Sequence, residues 1–151
     1  MINDKLNMKG DLHIVLSNPE MEDQIVEVKN LVVNTGLAII ASRLFDASDN
    51  VMSHMSIGSG TVAAAGADAA LGTELARVAL TSTTIVTTNV TNDAIQYVAT
   101  FLPGTGTGAV TEAGLLNASS SGTMLCRTVF PVINKGAADT LTITWKVTIE
   151  A

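Results

Sequence analysis

Cysteine, proline, aromatic side chains and positive charge are all scarce in this chain, and each scarcity narrows what it can be. Cys126 is the one cysteine. No intrachain disulfide can form, which fits assembly in a reducing cytoplasm. Aromatic residues make up 3% of the 151 positions, and much of the 47% hydrophobic fraction is alanine. A domain of this length buries roughly 70% of the surface its unfolded chain exposes. Alanine adds little to that, whereas a fully buried Val, Leu or Phe is worth about 1.5–3 kcal/mol. The composition therefore predicts a thin core that draws part of its stability from partner subunits.

Basic residues number 8 against 14 acidic ones, for a net charge of −6. Lys5, Lys9, Lys29, Arg43, Arg77, Arg127, Lys135 and Lys146 are scattered singly. Binding to nucleic acid draws most of its strength from clustered positive charge, so no direct nucleic-acid contact is expected. An acidic surface instead favours solubility. Long apolar runs are missing too. The stretch Leu37–Ala41 ends at Ser42-Arg43, far short of the ~20 residues that cross a bilayer. Met1–Lys5 lacks the basic and apolar tracts of a signal peptide. Neither secretion nor a membrane partner is expected.

The residues of common active sites do not converge. His13 and His54 are far apart and neither has a ligand partner at helical spacing. Cys126 alternates with Met124, Thr128 and Phe130, as a small buried residue would. Ser119-Ser120-Ser121-Gly122 is a turn between two candidate strands. Gly104–Gly108 (GTGTG) lacks the Lys-Ser/Thr ending of a phosphate-binding loop and follows Pro103. No catalytic, cofactor-binding or metal-binding residue is assigned, and no enzyme activity is expected. Glu74 with Arg77, and Glu112 with Arg127, lie in or beside apolar segments where an unpaired charge would be costly. They are expected to form ion pairs, within the chain or between subunits.

What is abundant is β-forming sequence. Leu141, Ile143, Trp145, Val147 and Ile149 alternate with polar residues, the mark of a strand with one buried face. Phe101 and Phe130 are expected opposite or beside that wall, and Tyr97 also falls on a core position. Leu12, Ile14 and Leu16 alternate with Asp11, His13 and Val15, Asn18-Pro19-Glu20 reads as a turn, and Gln24–Val33 as the returning strand. Further strands are predicted over Arg77–Val86, Ala94–Leu102, Val110–Asn117 and Thr123–Phe130. Threonine, with 19 occurrences, adds to the extended bias.

One helix is expected, capped by Asn34-Thr35-Gly36 and ending near Phe45, with Leu37, Ile40, Ala41 and Leu44 as its apolar stripe. A short helical turn is expected near Ala69–Leu75. Gly58–Gly72 and Pro103–Gly108 read as small-residue loops. The fold class is mainly β: an antiparallel sandwich or barrel with one helix. Residues 1–33 form an N-terminal hairpin, either an arm or part of the main sheet, and residues 34–151 the β-rich domain.

Six stretches in order carry a resemblance: Asn30–Ala38 (NLVVNTGLA), Ile57–Thr61 (IGSGT), Ala70–Arg77 (ALGTELAR), Glu112–Asn117 (EAGLLN), Gly122–Pro131 (GTMLCRTVFP) and Lys135–Thr144 (KGAADTLTIT). Together they resemble a group of short virion proteins of tailed bacteriophages, cyanophages among them, labelled tail fibre, head decoration or structural protein. The resemblance implies a non-enzymatic virion component assembled in the host cytoplasm, and no catalytic residues. The short chain has no heptads, collagen repeat or shaft sequence. This favours a capsid decoration, or cement, protein: a homotrimer bound to the major capsid protein. The alternative is a tail fibre, collar or baseplate component acting in host adsorption, with Gly58–Gly72 and Pro103–Gly108 as contact loops. A polysaccharide depolymerase is a third possibility, disfavoured by the lack of an aromatic sugar platform. The hairpin, about Lys9–Val33, is the expected partner contact.

Overall fold

The alternating C-terminal segment organises the first sheet. In a computed structural model, which describes residues 4–151, strand β10 (Thr140–Glu150) buries Leu141, Ile143, Trp145 and Val147, while Ile149 at its end is half-buried. Strand β1 (Asn7–Asn18) pairs antiparallel with one side of β10, and β7 (Ala94–Phe101) with the other. Strands β2 (Met21–Lys29) and β6 (Ser82–Val86) form the edges, giving the order β2-β1-β10-β7-β6. The hairpin is thus built into the main sheet: β1 lies between β2 and β10, with Leu12 and Ile14 buried. Its turn is held by Asn18, whose side-chain oxygen accepts the Glu20 N–H at 2.9 Å.

The second sheet has the order β3-β9-β8-β4-β5. Its strands are β3 (Leu31–Val32), β9 (Met124–Lys135), β8 (Gly108–Leu116), β4 (His54–Gly58) and β5 (Glu74–Ala79). Among the described residues the two sheets share no ladder, so the architecture is a sandwich and not a closed barrel. Between them lies one core. Phe101 pairs beside Leu141 in the first sheet, and Phe130 joins the same cluster from the second.

Several expectations are corrected. The runs Gln24–Val33 and Arg77–Val86 are not single strands, because each turns a corner between sheets. At the first corner the Asn30 N–H bonds Gly10 of β1, and Val33 bonds Leu125 of β9. At the second, Leu80 bonds Ser53 beside β4, and Thr81 bonds Val98 of β7. Apolar periodicity continues through such corners, so it does not reveal them. Strand β4 was missed because only Met55 and Ile57 alternate in it, and Ser56 and Gly58 are buried as well. The helical turn near Ala69–Leu75 does not form; the chain there bends and enters β5. Strand β9 runs past Phe130 through Pro131, at a register shift where the missing N–H costs no ladder bond.

Helix α1 (Asn34–Phe45) packs against β9. The position before its first turn is Val33, and no side chain caps it. Asn34 instead bonds through its backbone N–H to Gly66, and Thr35 donates its hydroxyl to the Met124 carbonyl. The buried stripe is Gly36 and Ile39, with Ile40 half-buried; the expected positions Leu37, Ala41 and Leu44 are exposed. Gly36 explains the rotation. Its backbone lies so close to the Leu125 carbonyl that a Cβ would overlap it. Turning that position towards the sheet turns Leu37, Ala41 and Leu44 to the outside.

Candidate functional site

The outer face of the second sheet carries a buried charged cluster. Glu112 on β8 and Arg127 on β9 project from that face and meet through two hydrogen bonds, Nε at 3.0 Å and Nη2 at 2.8 Å from Glu112 Oε2. Both are buried, Glu112 completely. The chain from Gly60 to Thr73 closes over them. Gly60, Gly72 and Thr73 donate backbone N–H groups to the Glu112 carboxylate at 2.8, 2.9 and 2.8 Å. Arg127 bonds the Asp68 carboxylate at 2.7 Å and the Val62 carbonyl at 3.0 Å. Glycine at position 60 is required sterically, since a Cβ there would strike the Glu112 carboxylate. Leu71 adds an apolar anchor against Val33, Leu116 and Met124.

Burial alone would raise the Glu112 carboxyl, but the three backbone donors and the Arg127 guanidinium outweigh it and hold the group below the ordinary carboxylate range. Asp68 is lowered as well, first by the Ala65 N–H and then, against desolvation, by Arg127. A paired, fully bonded cluster of this kind fixes a loop; it presents no free base or nucleophile. The second ion pair acts similarly. Arg77 bonds Glu74 at 2.7 Å and holds the carbonyls of Ala118 and Ser121 at 3.1 and 2.8 Å. The serine turn is thereby tied to β5. Both pairs lie within the chain.

The remaining singled-out residues stay apart. His13 faces Glu27 across the β1–β2 ladder at 3.2 Å, and His54 contacts Ser53 at 2.8 Å. Cys126 is fully buried, which pushes its thiol well above the ordinary value. The Gly104–Gly108 loop opens no helix and leads into β8. Among the described residues no group of three His, Cys, Asp or Glu side chains is placed to hold a metal ion.

The surface feature that stands out is apolar. Helix α1 lies along the end of the sandwich and turns Leu37, Leu44 and Phe45 outward, with Leu44 82% and Phe45 87% exposed. Between the helix and the sheets runs a groove of about 230 Å³ lined by Ile40, Leu44, Val51, Met52, Ile95 and Ile149. On the other side of the helix a second groove, of about 320 Å³, includes Leu6, Leu31 and Leu37. Sequence reasoning placed Leu37 and Leu44 in the core; Phe45, last residue of the helix, carried no signal beyond its size. No protein-family model, curated protein or solved structure matches the chain.

Proposed function

We propose that this chain is a non-enzymatic structural protein of a tailed-bacteriophage particle, a capsid decoration protein that binds the head surface and reinforces contacts between coat subunits. The observation that carries this reading is the exposed apolar surface around helix α1, where Leu44 and Val51 border one groove, Leu37 borders another, and Phe45 stands exposed at the helix end. Exposed apolar side chains bordering grooves in this way are a protein-docking feature. The helix behind it is fixed by Gly36 set directly on the Leu125 backbone and by buried Ile39, so a partner meets a preformed surface. The ordered resemblance to phage virion proteins supplies the particle context. Three copies around a symmetry axis would each present this surface to the major capsid protein. Interfaces of standard size bury roughly 1,200–2,000 Å², and many repeated contacts stiffen a shell without any one being tight.

The test is add-back to particles. Filled heads lacking the protein should break at lower temperature than complete ones, and purified protein should restore them. The Phe45→Glu variant should fold normally yet fail to restore. Heads of unchanged heat resistance without the protein, or full rescue by Phe45→Glu, would contradict the reading.

A further inference from the structure

The four sheet edges differ in how they are protected against pairing. Unpaired edge strands offer free backbone N–H and C=O groups to another chain, and proteins blunt them with charge, proline, bulges or short length. Strand β3 has two residues, and β5 carries the Glu74–Arg77 pair. Strand β2 carries Glu22, Asp23 and Glu27. Strand β6 has none of these devices. Its sequence is Ser-Thr-Thr-Ile-Val, and no charged residue occurs between Arg77 and Asp93. It pairs with β7 without a register shift, and Ile85 is 67% exposed.

The connection that follows the edge strand is also ordered. Asp93, at the base of the β6–β7 connection, accepts hydrogen bonds from the backbone of Thr88, Asn89 and Val90 at 2.7, 2.8 and 2.9 Å, and from the Thr88 hydroxyl at 2.7 Å. An edge strand that leads into an ordered turn loses less freedom when it gains a neighbour.

We propose that the β6 edge docks a second copy of this chain, antiparallel and centred on Thr84, joining two five-stranded sheets into one continuous sheet. The segment is self-complementary in that register. Thr84 faces Thr84, Thr83 faces Ile85 of the second copy, and Ser82 faces Val86. The Thr84–Thr84 pair can hydrogen-bond across the axis, the β-branched residues suit extended backbone, and no like charges meet. The same arrangement on β2, centred on Ile25, sets Asp23 against Glu27, which opposes it. Thr83 and Ile85 lie on the core side of the ribbon, opposite Tyr97 and Ile95. The contact therefore adds apolar cover next to the helix groove, where Ile95 is a wall. This two-fold contact goes beyond the particle assignment and does not depend on it.

Sedimentation of the purified full chain over a concentration series tests the proposal, together with two substitutions at an exposed position. The wild type should associate reversibly into dimers. Thr84→Lys places two like charges across the axis and should weaken association about tenfold or more. Thr84→Cys should give a disulfide-linked dimer on mild oxidation, because the two positions face each other; the buried Cys126 does not compete. Ile25→Cys, the self-facing position on the β2 edge, should not cross-link. A chain that stays monomeric up to about 1 mM would overturn the proposal. So would association unaffected by Thr84→Lys, or cross-linking through Ile25→Cys as efficient as through Thr84→Cys.

Discussion

A carboxylate with no exposed surface, such as Glu112, is tolerable only while its hydrogen bonds remain intact. Removing it strands Arg127 in a buried site with Asp68 as its remaining anion. Glu112→Ala should therefore destabilise the fold by about 3–5 kcal/mol, measured by denaturant unfolding. The pH response has a defined sign. The folded Glu112 carboxyl is held below its ordinary value of 4.5, so its contribution is fully present above that value and fades as pH falls through the lowered one. Glu112→Gln should remove that part of the acid sensitivity; an unchanged loss of stability below pH 4.5 would contradict the assignment. This pairing was legible in the sequence, because charges inside apolar segments demand partners. Asp68 was not, since an acidic residue in a loop of small residues looks solvated until the loop is seen to fold back.

At the scale of elements, strands with one wet face were legible and corners were not. Strand β10 announces itself because each inward residue is large and each outward one polar. Strand β8 is buried on both faces, its outer side roofed by the Gly60–Thr73 segment, so alternation is lost there. The helix was legible in extent but not in rotation. Its larger side chains imply one face, and a single glycine packed on the Leu125 backbone selects another. The difference is measurable. Ile39→Ala, which empties a buried position, should cost about 2–5 kcal/mol. Leu37→Ala, on the exposed face, should stay within about 0.5 kcal/mol of wild type. Equal costs at the two positions would mean that the helix is rotated from the described orientation.

For the whole molecule, the expectation of a thin core needs refinement. The space between the sheets is filled by Trp145, Phe101 and aliphatic residues, and the small residues lie mostly in the roof over the second sheet. Apolar side chains remain uncovered at the helix end, on a chain of net charge −6. That combination suits a protein kept soluble by its acidic faces until one end meets a partner. Nothing in composition could place this surface, because it arises from the helix rotation and not from an unusual run of residues. The proposed decoration role makes the surface a repeated joint on a shell, and a repeated joint requires many copies. Quantitative mass spectrometry of purified particles, measuring this chain against the major coat protein, tests that most directly. Hundreds of copies per particle, approaching the number of coat subunits, are the predicted result; a few copies, or none, would contradict the account.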